Sequence, residues 1–310
     1  AAQVEAEATA ENAMADYVKL AQEYLAIPVI VGNKSESEKF AGADRTITFE
    51  AFMPDGKALQ MGTSHILSQS FSKSFEIKFQ SKEGKEEYPY LTSFGTTTRM
   101  IGAMIMMHGD QSGLVLPPRI APIQVVIVPI LRGDSKVDVL HAANIIKDSM
   151  EAHGIRVELD DREEKSPGNK FYEWELKGVP LRIEIGPRDL EKKQVVLTNR
   201  LDGHKRDVAI ADVAKAVGRD LPAIQEQLFK NAEEKLTSMW HKEAKLADFG
   251  PKLNSEGGIY QTGWCQNKEC EQELKKYKAF TRCLLKDKSF EECFNCNNPN
   301  IVDVVVAKSY

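Results

Sequence analysis

Two stretches of this chain carry residue types and spacings that can do chemistry. The first runs from Leu59-Gln60-Met61-Gly62-Thr63-Ser64-His65 to Ser93-Phe94-Gly95-Thr96-Thr97-Thr98-Arg99-Met100-Ile101-Gly102. Both of its ends are dense in small residues and hydroxyls. Gly62, Gly95 and Gly102 let a backbone or ligand approach where a Cβ would block it. Thr96, Thr97 and Thr98 are β-branched and predict a strand, on which Thr97 and Arg99 share a face. A hydroxyl beside a guanidinium suits a nucleotide, because Arg pairs with phosphate oxygens or stacks on a base. The second stretch is Cys265-x4-Cys270 and, after 22 intervening residues, Cys293-x2-Cys296. Four thiolates in two close pairs suit a tetrahedral zinc ion. Cys283, between the pairs, reads as a buried thiol.

The elements that must position these residues follow from periodicity. Residues 1–25 have apolar side chains at helical spacing, so one amphipathic helix is expected. Pro28 to Val31 reads as a short strand. Thr46–Glu50 and Ala58–Met61 read as antiparallel strands joined by a turn at Pro54-Asp55-Gly56. Phe75-Glu76-Ile77-Lys78-Phe79 alternates strictly and predicts another strand. Met100 to Met107 is almost wholly apolar and predicts a buried element behind the site. Pro117-Pro118 marks a domain boundary. Beyond it, Ile123–Ile130 reads as a strand buried on both faces. A helix over Val137–His153 stops at Gly154, and a strand follows at Arg156–Leu159. Ser166-Pro167 caps a further helix that runs to about Lys177. Strands at Leu181–Ile185 and Gln194–Leu197 precede a helix over Val208–Leu228. This alternation implies a three-layer α/β domain. From about Ala232 a charged helix leads into the cysteine region, and Ile301–Tyr310 reads as a strand.

Bulk composition is that of an ordinary globular protein: 310 residues, 42% hydrophobic and 28% charged, with net charge −5. No apolar run approaches a membrane span, and the start lacks the basic-then-apolar pattern of a signal peptide. The negative balance provides no global basic field, so any RNA contact must come from a local patch. Lys192, Lys193, Arg200, Lys205 and Arg206 form such a stretch.

The segments Phe40-Ala41-Gly42-Ala43-Asp44, Glu50 to Ala58, Gln60 to His65, Ser68 to Ile77, Ser93 to Arg99 and Gly113 to Arg119 together resemble the prolyl-tRNA synthetases of the archaeal and eukaryotic type. The resemblance covers nearly the whole chain. It implies an α+β and α/β multidomain fold: the carboxy-terminal part of a class II antiparallel-sheet catalytic domain over 1–117, an α/β anticodon-binding domain over 118–228, and a small zinc-binding-type α/β domain over 229–310. The first two class II signature motifs are not visible, so the chain is expected to be the rear part of an enzyme. The implied reaction joins ATP and L-proline into prolyl-adenylate, then moves the prolyl group to tRNA(Pro), with Mg2+ assisting. By the resemblance, Gln60, Thr63, Thr97 and Arg99 fall on ATP-contacting positions, with Arg99 the catalytic cation. His65 falls on a proline-contacting position, and Phe94 and Gly95 wall the pocket. Phe94 stands where other members carry Trp. Glu173, Lys177 and Arg188 are candidates for reading the anticodon, and Cys265, Cys270, Cys293 and Cys296 for a structural Zn2+. Members of this type end in tyrosine, folded back toward the catalytic domain. A cytoplasmic homodimer is expected for the complete enzyme. The alternative is a noncatalytic tRNA-binding or scaffold protein descended from a synthetase. A glycyl or threonyl enzyme is the rival within the class.

Overall fold

A computed structural model describes residues 2–310. Its first helix, α1 (Gln3–Lys19), buries Ala6, Ala10 and Met14 along one face. The Glu5 carboxylate accepts from the Ala2 amide at 2.9 Å, satisfying a donor that has no partner within the helix. The strands β1 (Ile30–Asn33), β2 (Arg45–Phe52) and β3 (Ala58–Ser68) then lie side by side, all antiparallel. The expected turn joins β2 to β3, with Gly56 at φ +75°. In this hairpin Thr48 faces Thr63 and Thr46 faces His65, while the register slips between Phe49 and Glu50. Gly62 then pairs with Phe49 and Gln60 with Glu50, leaving Met61 as an extra, bulged residue.

The expected strand at Phe75–Phe79 is not formed. Helix α2 (Ser70–Ser74) occupies the preceding residues. Glu76 sits at φ +53°, and the Ile77 amide donates back to the Ser72 carbonyl at 2.8 Å. This is a left-handed helix cap, which breaks extended backbone in the middle of the alternating run. Phe75, Ile77 and Phe79 remain exposed. Only the two-residue β4 (Phe79–Gln80) pairs, with β5 (Glu86–Glu87). Strand β6 (Leu91–Thr96) returns antiparallel to β3. It ends at Thr96, earlier than the threonine run suggested. Thr97 Oγ1 instead accepts from the Arg99 amide at 3.2 Å at the start of α3 (Arg99–His108). A hydroxyl beside free helix amides competes with strand pairing, which is why the run splits. Helix α3 buries Met100, Ala103, Met104 and Met107 and exposes Ile101, Ile105 and Met106.

The middle of the chain follows the expected alternation: β7 (Val125–Pro129), α4 (Lys136–Glu151), β8 (Val157–Leu159), α5 (Pro167–Leu176), β9 (Leu181–Ile185), α6 (Pro187–Glu191), β10 (Gln194–Asn199), β11 (Lys205–Ala209) and α7 (Val213–Met239). Ser166 caps α5, accepting from the Asn169 amide. The sheet order is β11-β10-β9-β7-β8. β7 runs parallel to both neighbours and is buried along its length. One core packs Val139, Ala143 and Ile146 of α4 and Val217 and Leu221 of α7 against Ile127, Ile183 and Leu197. On the other face Trp174 of α5 covers Val126 and Val128. The sequence reading missed β11, and its charged helix from Ala232 is a continuation of α7 through Met239.

The last segment forms β12 (Trp240–Lys242), α8 (Leu246–Ser255), β13 (Ile259–Trp264), α9 (Lys268–Leu274), β14 (Phe280–Leu284) and β15 (Val302–Ala307). These strands extend the first sheet rather than forming one of their own. The order is β12-β13-β15-β14-β1-β2-β3-β6, joined where Asn33 of β1 meets Leu284 of β14. The three stretches read from the sequence are thus distributed over two compact units. One comprises the stretches ending at Glu23, from Ile27 to Ala103 and from Glu233 to Tyr310; the other is built mainly from Met104 to Ala232. Cys283 is buried in β14, and burial pushes its thiol up to about 12. The terminus folds back onto the β2–β3 turn, where the Tyr310 phenol donates to Asp55 Oδ1 at 2.6 Å.

Candidate active site

The face of the first sheet turned away from α1 is polar. Ser64, on the other face, donates to the Ala10 carbonyl of α1, and Phe49 stacks on Tyr17. Register puts Thr46, Thr48 and Glu50 of β2 on the polar face, with Thr63 and His65 of β3 beside them. The His65 ring lies between two hydroxyls, Thr46 Oγ1 at 2.9 Å from Nδ1 and Thr63 Oγ1 at 3.0 Å from Nε2. The Phe40 ring covers it, centroid to centroid 4.9 Å. Burial holds the imidazole below its usual value, favouring the neutral form. Gln60 and Thr63 are three residues apart, which in a regular strand would place them on opposite faces. The bulge at Met61 returns Gln60 to the face of Glu50 and Thr63.

Behind these residues lies a buried charge cluster that sequence reasoning missed. Glu50 is fully buried and accepts from Lys34 Nζ at 2.7 Å, Arg282 Nη2 at 2.7 Å and Thr48 Oγ1 at 3.0 Å. Arg282 comes from β14, 232 residues away, so no local pattern could have linked the pair. At Gly62, an added Cβ would meet the Gly95 carbonyl oxygen and the Phe49 ring, both at 2.7 Å. A glycine is therefore required for β3 and β6 to approach.

The guanidinium of Arg99 reaches β3, where Nη1 donates to the Gln60 carbonyl at 2.9 Å. Gln60, Thr63, His65, Gly95 and Arg99 are thus brought to one region of the sheet. Gly95 pairs with Thr63, and beyond its backbone nothing approaches within 4 Å of where a Cβ would stand. Thr97 caps α3 instead of sharing a strand face with Arg99. Phe94 departs further from expectation. It pairs with Ser64, so it lies on the α1 face and not with His65. The aromatic cover over His65 is Phe40, and the residue opposite His65 on the polar face is Ser93. Strand alternation alone could have excluded Phe94 once His65 was assigned to the face.

The anticodon candidates are not gathered together. Glu173 lies on α5 and Lys177 is its C-cap residue, whereas Arg188 is exposed on α6, whose Leu190 packs on the opposite core. Glu173 is held by Lys165 at 2.6 Å, Lys177 at 2.9 Å and Arg162 at 3.2 Å, and these cations pull its carboxyl down to about 2. Lys177 also sits 4.3 Å above the Trp174 ring. Beside α5 lies a cleft of about 140 Å3 lined by Trp174, Arg182, Thr198, Arg200 and Lys205. The basic stretch is largely neutralised within the protein. Arg200 forms a forked pair with Asp110 at 2.7 and 2.8 Å, Lys205 pairs with Glu184, and Arg206 pairs with Asp220.

The four cysteines converge. Their sulfurs all lie within 4.8 Å of one another, the one group of three or more potential metal ligands among the described residues. Cys265 Sγ is 3.7 Å from Cys270 and 3.6 Å from Cys296. That is too long for a disulfide, and near the edge of about 3.8 Å that Zn–S bonds of about 2.3 Å give a tetrahedron. Left-handed residues, Gln266 and Asn297, follow the first and last cysteines and turn each knuckle. Burial raises the Cys293 thiol, but amides of Cys296, Asn295 and Cys265 outweigh it and bring it down to about 7. Burial raises the Cys265 and Cys270 thiols, so it is the convergence and spacing of the four sulfurs that fits a thiolate-bound metal. The β2–β3–β6 face offers no comparable ligand group for Mg2+, since Glu50 is already engaged.

Family comparisons agree along the chain. Residues 2–108 match the tRNA synthetase class II core domain (G, H, P, S and T), 124–219 the anticodon binding domain, and 246–310 the prolyl-tRNA synthetase C-terminal domain. A proline--tRNA ligase 2 of Clostridioides difficile is 43% identical over 297 residues, 95% of this chain and 61% of the relative. A proline--tRNA ligase of Cenarchaeum symbiosum is 47% identical over 253 residues, 81% of this chain and 53% of the relative. The chain spans 53–65% of the length of the first such relatives. The crystal structure of prolyl-tRNA synthetase from Cryptosporidium parvum, complexed with L-proline and AMP, superposes over 100% of this chain and 68% of its own, with TM-score 0.92 and 35% identity. On that breadth of sequence and structural agreement, the chain belongs to the prolyl-tRNA synthetase family.

Proposed function

We propose that the polar face of β2, β3 and β6 takes part in proline--tRNA ligation. In this reading the carboxylate of L-proline attacks the α-phosphorus of ATP, pyrophosphate leaves, and the prolyl group passes from the adenylate to the terminal ribose of tRNA(Pro). The carboxylate is already ionised, so activation asks for no protein base. Its barrier lies in charge growing on the phosphates, which fixed cations lower. Arg99, tethered at Gln60, is the cation this chain contributes, with Gln60 and Thr63 beside the nucleotide and Thr97 setting the start of α3. Neutral His65 under Phe40, with Ser93 and Gly95 opposite, forms the proline side. Mg2+ would enter with the triphosphate and neutralise part of its charge.

The four cysteines hold structural Zn2+ in the same reading. Anticodon bases bind at the cleft beside α5, where Arg182, Thr198, Arg200 and Lys205 line a polar wall that the edges of unpaired bases can meet. A cytoplasmic homodimer is the assembly in which the complete enzyme would work.

The observation that carries the proposal is the meeting of Arg99 with the His65-bearing strand at Gln60. Calorimetric titration with prolyl-sulfamoyl-adenosine, a stable mimic of the adenylate, tests it. We expect saturable binding, weakened about 100-fold in Arg99→Ala by loss of a charge-assisted contact. Absence of binding by the unmodified protein, or unchanged affinity in the variant, would overturn the assignment.

A further inference from the structure

Lys34 to Phe40 forms a strap between β1 and β2, anchored at three points. At its start, Lys34 is buried against Glu50 at 2.7 Å. At its end, the Phe40 amide donates to Thr46 Oγ1 at 3.1 Å, the same hydroxyl that meets His65. The middle anchor comes from the far end of the chain. Glu271, on α9, accepts from Ser35 Oγ at 3.2 Å and Ser37 Oγ at 2.5 Å, and from Thr281 Oγ1 of β14 at 2.5 Å. Among the described residues Glu271 makes no ion pair, and three hydroxyls donate to it. Two directional hydrogen bonds from strap hydroxyls to one carboxylate, itself held by Thr281 of β14, limit where the strap can lie. Glu271 follows Cys270 directly, so the helix carrying a thiol of the cysteine cluster also carries this anchor.

We infer that Glu271 is a positioning residue for the proline side of the site, holding the strap so that the Phe40 ring lies over His65. The inference rests on the proline-activation reading for its consequence, but its geometry is independent of it. Without the middle anchor, the Ser35–Lys39 turn is free to shift, and Phe40 moves with it. An ångström of displacement at a pocket wall is enough to change affinity for the small ligand beneath it, while the adenylate side around Gln60 and Arg99 is untouched.

Two readouts test this. The first is the chemical shift of the His65 ring protons, which the Phe40 ring current perturbs at 4.9 Å. In Glu271→Ala these shifts should move toward those of Phe40→Leu. Glu271→Gln, which keeps an acceptor for the hydroxyls, should restore them, and Ser37→Ala, which removes one exposed donor, should fall between. The second is affinity: Glu271→Ala should weaken prolyl-sulfamoyl-adenosine about tenfold and leave AMP within about twofold. Unmoved His65 shifts overturn the inference, as does an equal loss for both ligands. If the unmodified protein binds no prolyl analogue, the proline-activation reading falls, while the ring shifts still decide whether Glu271 holds the strap.

Discussion

At the scale of single residues, His65 is held on three sides. Both ring nitrogens meet threonine hydroxyls and a phenyl ring closes over it. Burial lowers its proton affinity, so its folded-state value lies below 6.5. The sign of the pH effect follows. Between the unfolded and folded values the unfolded chain binds the proton more readily, so this contribution to stability is complete above 6.5 and is lost as pH falls through the folded value. Titration of the His65 ring by NMR should give a midpoint below 6.5. A midpoint at or above that value would mean that the ring is solvated or paired with an anion. Histidine at this position was legible from the local motif. Its partners Thr46 and Phe40 were not, because a cross-strand neighbour is set by register and a covering ring by a loop.

At the scale of elements, the β2–β3 hairpin was readable because turn residues and alternation agreed. The alternating run at Phe75–Phe79 had no such agreement with tertiary structure: no sheet was available to bury one of its faces, and a helix cap took the residues instead. What holds the hairpin in the larger sheet is Glu50, which ties β2 to the end of β1 through Lys34 and to β14 through Arg282. Glu50→Ala leaves two cations buried without their partner and should cost about 3–5 kcal/mol in urea unfolding. Glu50→Gln, which keeps the hydrogen-bond acceptor, should cost less. A loss below about 1 kcal/mol for the alanine variant would place the cluster among weak exposed pairs and remove its role in sheet assembly.

At the scale of the whole molecule, the fold class was legible but the sheet's extent was not. Strand-helix alternation marked the α/β unit, and the cysteine spacing marked the carboxy-terminal module. That β13, β14 and β15 would continue the sheet begun by β1 depends on pairing across more than 200 residues, for which periodicity holds no signal. This continuity gives the cysteine cluster a structural consequence. Cys265 follows β13 directly, and Phe294, between the last two cysteines, donates its amide to Gly263 of the same strand at 2.7 Å. If zinc joins the four thiolates, its binding free energy becomes folding free energy for that end of the sheet. Metal analysis should return one zinc per chain, and stripping it with a strong chelator should lower Tm. A loss of about 4 kcal/mol corresponds to about 8–16 °C for a unit of this size. Cys296→Ser, at the most exposed ligand, should reproduce the shift and leave the protein insensitive to the chelator. Metal-free protein with an unchanged Tm would reduce the cluster to four packed thiols and leave β13 and β15 to hold that end of the sheet by pairing alone.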